Sequence, residues 1–240
     1  MSSGDDATPL PLVADCRVLP ASAPLSIARV GLNAQDAEGL ARWYRANVGL
    51  EEIAREGATI HMGAGSAVLL EITEIEGLRR AFPSWAGLYH TAFLLPSRAD
   101  LGSWVHYAAA TRLAIDGASD HLVSEAIYLT DPEGNGVEIY ADRPQAQWEW
   151  TRGQIRMGST QIDFANLMAE ASPVVLPGWS APQGSLVGHV HLQVGDALEG
   201  ARWWHEEMGL DLVRGSRDAN FLSTGGYHHH IAVNNWNSRG

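Results

Sequence analysis

The sequence predicts an α+β protein built from repeated βαβββ modules, three of them visible. An internal repeat and a turn-centred hairpin carry that expectation. ARWYRANVGL at 41–50 and ARWWHEEMGL at 201–210 match at an offset of 160 residues, which also pairs Arg29 with His189, Leu32 with Leu192 and Asp36 with Asp196. After one inserted residue, ATIHMGAG at 58–65 matches ANFLSTGG at 219–226. Self-similarity at a fixed spacing marks copies of one structural unit. Each copy opens with an alternating stretch, 27–33 or 187–194, whose period of two predicts a strand. A helix follows, with Asp36 or Asp196 as N-cap and Gly49 or Gly209 at its C-terminal end. Three short strands complete the unit. A middle copy begins at Gly87, with a strand over 88–95, a helix over 98–111 and a closing hairpin within 119–140.

The chain therefore divides into a flexible arm at 1–24, modules at 25–75, 86–142 and 185–240, and a linker at 143–184. The linker holds QIDFANLMAEA, read as a short amphipathic helix, and the Pro/Gly-rich SPVVLPGWSAPQG. A length of 240 residues with 45% hydrophobic composition suits one or two domains with a substantial core. A net charge of −12 argues against a nucleic-acid role through phosphate contacts. The single cysteine, Cys16, excludes an internal disulfide framework and fits a reducing cytoplasm. Neither a signal peptide nor a membrane-spanning run is read in the sequence, so a cytoplasmic protein without membrane partners is expected.

The chemistry concentrates in SDHLVSEAIYLTDPEGNGVEIY at 119–140. Pro132 presets φ in its turn, and Gly134, Asn135 and Gly136 tolerate positive φ. Ile127-Tyr128-Leu129 reads as the incoming strand and Val137-Glu138-Ile139-Tyr140 as the outgoing one. A carboxylate between apolar residues, as at Glu138, must be paired, hydrogen-bonded or metal-bound if its face is buried. His121, Tyr128 and Glu138 thus share one hairpin. The order of a His, a Tyr seven residues on, Asp-Pro-x-Gly, and a Glu ten residues after the Tyr resembles the extradiol ring-cleavage dioxygenase signature. That family belongs to the vicinal oxygen chelate superfamily. GLYH, GHVHL and GGYHHHIAVN extend the resemblance, to the bacterial catechol 2,3-dioxygenases, over nearly the whole chain from Ile27. Ser119 departs from it, standing where the family has another small or β-branched residue. The resemblance implies modules paired edge to edge into curved, barrel-like mixed sheets. It also implies a fourth module beyond Gly240.

The first strand of each module contributes one equivalent position: Arg29, His90 and His189. A lone strand His is ordinarily a satisfied core or surface residue, but here two of three equivalent positions are His. With Glu138 they compose the two-imidazole, one-carboxylate facial set of non-haem Fe(II) oxygenases, which also suits Mn(II). His90, His189 and Glu138 are the expected metal ligands, and they require the second module to pair with the third. Pairing the first with the second would offer Glu71, His90 and Glu138 beside Arg29, which cannot ligate a metal; it ranks second. Glu71 aligns with Ala232, so the preferred pairing leaves a coordination position open for a chelating substrate.

Alternate side chains of a strand share a face. His228 and His230 are therefore expected to face the site together with Ala232 and Asn234. The resemblance implies a distal-pocket His from this strand, with His230 the first choice and His228 the second. It also assigns His121 to the neighbourhood of a substrate hydroxyl and Tyr128 to hydrogen-bonding the bound diolate. Asp120 reads equally as an orienting partner of His121 or as a turn residue. Trp43, Trp203 and Trp204 read as core, whereas one of Trp148, Trp150 and Trp236 is a candidate pocket wall. The implied activity is Fe(II)-dependent insertion of O2 next to the diol of a catechol, giving a muconic semialdehyde, by a homo-oligomer. A glyoxalase-like isomerase or lyase and a metal-free antibiotic-binding protein are the alternatives.

Overall fold

The strand–helix–strand–strand–strand order occurs three times along the chain. The computed structural model describes residues 20–171 and 178–240. Most of the arm expected at 1–24, with Cys16, and residues 172–177 of the linker lie outside the described residues. The first unit comprises β1 (Val30–Ala34), α1 (Ala37–Asn47), β2 (Glu51–Glu56), β3 (Thr59–Ala64) and β4 (Ala67–Glu74). The second comprises β5 (Gly87–Leu94), α2 (Arg98–Thr111), β6 (Gly117–Asp120), β7 (Ser124–Thr130) and β8 (Gly136–Asp142). Between the second and third units lie β9 (Trp150–Thr151), β10 (Gln154–Ile155) and α3 (Phe164–Ala169). The third comprises β11 (Leu186–Gln193), α4 (Ala197–Glu206), β12 (Asp211–Gly215), β13 (Ala219–Ser223) and β14 (Ile231–Asn234).

Local chemistry sets the helix ends. Asp36 accepts a hydrogen bond from the Gly39 amide at 2.7 Å, and Asp196 accepts from Leu198 and Glu199, so both satisfy amides the first turn leaves open. Gly49 follows the α1 C-cap with a φ of +86°, a conformation that costs glycine nothing. A Cβ there would also meet the Trp179 ring at 2.5 Å, where the linker returns across the end of α1.

The strands form a four-stranded sheet in the order β1-β4-β3-β2 and an eight-stranded sheet in the order β12-β13-β14-β11-β5-β8-β7-β6. The larger sheet joins the second and third units through their first strands, β5 and β11, which run antiparallel. It curls into an open half-barrel. Helices α1, α2 and α4 cover the outer faces, burying Leu40, Tyr44, Leu101 and Trp104 in one core with Phe93, Ile139 and Val233. Each such side chain contributes roughly 1.5–3 kcal/mol of burial. The two sheets are tied where Tyr44 of α1 donates to Asp131 at 3.1 Å, and where Trp104 and Tyr107 of α2 donate to the Asn47 and Ala46 carbonyls.

Two expectations need correction here. The strand expected over 27–33 is shorter, because β1 begins at Val30 and leaves Arg29 just outside it. Trp203 is not core: it is 51% exposed, on the outer side of α4, while Trp43 and Trp204 are partly buried against the core. Among the described residues no helix is long and apolar enough to cross a membrane.

Candidate metal centre

The inner face of the eight-stranded sheet brings together one side chain from each of three neighbouring strands. β5 supplies His90, β8 supplies Glu138 and β11 supplies His189. Parallel pairing of β5 with β8 sets Ala92 opposite Glu138, and antiparallel pairing of β5 with β11 sets His90 opposite His191. The β5–β11 register shifts between Val187 and His189 and again between His191 and Leu192. These irregularities bracket the two β11 histidines; a bulge can re-aim a side chain at a functional site. Gly188 is required at the first of these shifts, because a Cβ there would lie 1.8 Å from the Tyr140 hydroxyl oxygen.

His90 Nε2 lies 3.0 Å from Glu138 Oε2, His189 Nε2 lies 3.2 Å from the same oxygen, and the two Nε2 atoms are 3.4 Å apart. One donor atom from each residue thus falls within 4.8 Å of the others, and all three residues are buried. Burial alone would raise the Glu138 carboxyl, but the charge and hydrogen bonds of His189, then His90, outweigh it and hold it well below the usual carboxylate range. Burial lowers His189 to about 4, against the pull of Glu138. A buried carboxylate beside a neutral imidazole is the protonation state a divalent metal requires of its ligands, and it leaves a buried negative charge for a cation to balance. The donor set fits a metal ion. His189 Nδ1 is buried and has no partner among the described residues, so packing and the Nε2 contacts aim its ring.

A cavity of about 510 Å³ opens over these three residues. His121 and Tyr128 line it as a bonded pair: His121 Nδ1 lies 2.8 Å from the Gly158 carbonyl, and His121 Nε2 lies 2.6 Å from the Tyr128 hydroxyl. A carbonyl only accepts, so Nδ1 carries the proton and the neutral ring accepts from Tyr128 through Nε2. Burial, with Glu138 nearby, raises the Tyr128 hydroxyl well above its ordinary pKa. Asp120 does not orient His121; it accepts from the Leu122 amide and pairs with Arg143 at 2.6 Å.

The facing expected of His228 and His230 is also corrected. β14 begins only at Ile231, so strand alternation does not reach back to the histidines. His229 lines the cavity, its ring 4.0 Å from that of His189. His228 points the other way, its Nε2 2.9 Å from Asp142, and the buried His230 accepts from the Thr224 amide.

Sequence reasoning missed His229 and His191. His191 lines the cavity 4.9 Å from the His90 ring and bonds Asn234 at 2.9 Å. Its signal was present, since it lies two residues after His189 and so shares its face. Of the candidate tryptophans, Trp236 lines the cavity, half exposed and edge-to-face with Tyr89 and His191, whereas Trp148 is buried elsewhere. Glu71 belongs to the other sheet, where it pairs with Arg29 at 2.9 Å and His61 at 3.3 Å. It is not brought to His90 and Glu138.

Residues 26–139 match the family model of the Glyoxalase/Bleomycin resistance protein/Dioxygenase superfamily. That matched stretch belongs to the superfamily, also called vicinal oxygen chelate. It is 43% identical over 159 residues to the catechol-2,3-dioxygenase of Bacillus subtilis strain 168, a match covering 65% of this chain and 55% of that protein. The chain therefore spans about half the length of the curated relative it matches. Among solved structures, it superposes on a Bacillus subtilis strain 168 protein described as a dioxygenase with a TM-score of 0.58 and 13% identity, covering 87% of this chain and 63% of that one. That likeness concerns the fold. A glyoxalase/dioxygenase from Nostoc punctiforme matches 55% of this chain and 100% of its own at 18% identity, with a TM-score of 0.43.

Proposed function

We propose that the chain is an extradiol-type ring-cleavage dioxygenase that uses Fe(II), or Mn(II), held by His90, His189 and Glu138, on a catechol-type substrate and O2. The observation that carries this reading is the convergence of two buried imidazoles and one ionised carboxylate beneath a cavity that also holds a His–Tyr pair. The relative's name agrees with it in reaction class. Bound there, the metal would supply chelation of both diol oxygens and activation of O2 beside them. The chain's own residues supply position and proton transfer.

Tyr128 donates to His121 and so keeps its oxygen lone pairs for a substrate hydroxyl. A proton accepted by that oxygen can be matched by passage of the Tyr128 proton to His121 Nε2, which moves charge towards the Gly158 end of the pair. Trp236, Tyr89 and Phe221 wall the cavity with apolar rings that suit a flat aromatic substrate and limit water. Ala232 sits opposite His191 where the repeat elsewhere has a carboxylate, so no fourth protein donor competes with a bidentate diol. A glyoxalase-like isomerase is favoured less for that reason.

The test is oxygen uptake with catechol by protein reconstituted anaerobically with Fe(II), read beside the yellow absorbance of the semialdehyde. Uptake and colour, both lost in His189→Ala, are expected. Uptake that survives in His189→Ala would assign the metal to other ligands. No retained metal and no uptake in the unaltered chain would support the metal-free binding protein instead.

A further inference from the structure

Behind the cavity lies a buried polar chain that the reaction scheme above does not use. It starts at Tyr140, whose hydroxyl contacts the Tyr227 hydroxyl at 2.8 Å. Tyr227 donates to Asp142 Oδ1 at 3.2 Å, so the proton between the tyrosines comes from Tyr140. The same Asp142 oxygen lies 2.9 Å from His228 Nε2. His228 Nδ1 lies 2.8 Å from His229 Nδ1, and His229 borders the cavity. The His228 ring is fully buried, with Tyr227 at 4.1 Å and Trp148 at 5.3 Å, so it has no freedom to turn.

We infer that Asp142 and His228 are positioning residues that hold His229 as the Nδ1–H tautomer, leaving the Nε2 lone pair to accept a hydrogen bond from a hydroxyl of the substrate. Donor and acceptor roles propagate along these contacts. A carboxylate accepts, so His228 Nε2 is the donor. In a neutral imidazole the other nitrogen must then accept. His228 Nδ1 therefore takes its hydrogen bond from His229 Nδ1, which fixes the single proton of His229 on the side away from the cavity. The remaining nitrogen, Nε2, makes no hydrogen bond among the described residues. The tautomer of a ring that touches the substrate is thus set two residues away, by a carboxylate at the end of β8. The tautomer assignment stands independently of the proposed reaction; the hydroxyl as ligand rests on that reading.

The experiment is a long-range 1H–15N correlation spectrum of the metal-free full chain, with ring signals assigned by their disappearance in His228→Gln and His229→Gln. The expected pattern is Nε2–H for His228 and Nδ1–H for His229. Asp142→Ala should mix the His229 tautomers, and Asp142→Asn, which keeps an accepting oxygen, should restore a single one. Added catechol should shift the His229 Nε2 signal in the unaltered chain and not in Asp142→Ala. An Nε2–H signal for His229 in the unaltered chain would overturn the inference. An unchanged His229 signature in Asp142→Ala would overturn it too, and if that variant does not fold, the tautomers of the unaltered chain decide. Tautomers as expected in a chain that consumes no oxygen with any catechol would sink the dioxygenase reading and leave the positioning role standing.

Discussion

The four-stranded and eight-stranded sheets are made from the same unit, yet they treat the same carboxylate position in opposite ways. Gly31 faces Glu71 across β1 and β4, Ala92 faces Glu138 across β5 and β8, and His191 faces Ala232 across β11 and β14. Two residues before the first member of each pair stand Arg29, His90 and His189. In the small sheet Glu71 meets Arg29, whose side chain is 56% exposed. In the large sheet Glu138 is buried between two imidazole nitrogens with no Arg or Lys among its partners. In both sheets the backbone places a carboxylate beside the residue two positions before its strand partner. Whether that contact becomes a solvated ion pair or a metal donor set depends on the residue before the pair, and on a second module closing over it.

That contrast is broken most severely at Glu138. Glu138→Gln keeps the volume and removes the charge that a cation would balance. It should lower iron retention after anaerobic reconstitution and desalting by more than the ~10–100-fold typical of losing a mere outer partner of a metal ligand, with ring cleavage falling in step. Metal analysis and oxygen uptake on the same preparation check it. Iron retained at the unaltered level would mean that Glu138 is only a buried partner of two histidines, closer to Glu71 than the comparison holds.

Much of this was legible in the sequence, for physical reasons that can be named. The 160-residue offset aligned Arg29 with His189, and strand periodicity placed His90 at the same point of the middle unit. Pairing of the second and third units then followed from Arg29 being unable to ligate a metal. The caps Asp36 and Asp196 announced their helices because an Asp side chain satisfies open amides wherever it stands. His229 was not legible. Its orientation depends on β14 starting at Ile231 rather than earlier, and a run of three histidines carries no mark of where a strand begins. Trp203 misled because two adjacent tryptophans on one helix cannot both face the core; α4 turns Trp204 inward and leaves Trp203 to solvent. For Asp120 the turn reading holds, since its side chain accepts from the Leu122 amide two residues on, but adjacency to His121 said nothing about Arg143, 23 residues on in sequence and within an ion pair's reach.

The two sheets are coupled through Tyr44, and its removal should have a middling effect. Tyr44→Phe deletes the donor to Asp131 in a buried setting. Asp131 keeps its bonds from the Glu133 and Asn135 amides and the Asn135 side chain, so the loss should be about 1 kcal/mol, the lower end for an interrupted buried hydrogen bond. Urea unfolding should show a lower midpoint with the slope unchanged. A changed slope would mean that the small sheet has begun to unfold apart from the large one, sharpening the comparison into two units of separate stability.

The smallest effect is expected at Arg29, where the small sheet's version of the site is tested directly. An ion pair this exposed offsets little of the cost of holding two long side chains in place, so Arg29→Ala should cost about 0–1 kcal/mol, less at high salt. Glu71 also keeps its contact with His61 Nδ1, which limits the charge left unpaired. Arg29→His goes further, because it sets two imidazoles and a carboxylate side by side in the small sheet, the composition of the large one. It should still retain no iron through desalting, since Arg29 there is 56% exposed and no second module closes over that face among the described residues. The readout is metal content in a Glu138→Gln background, compared with Glu138→Gln alone, so that iron gained on adding Arg29→His is assigned to the small sheet. Iron held tightly there would show that residue type alone makes the site; its absence would assign the remainder to burial, which the pairing of β5 with β11 provides in the large sheet.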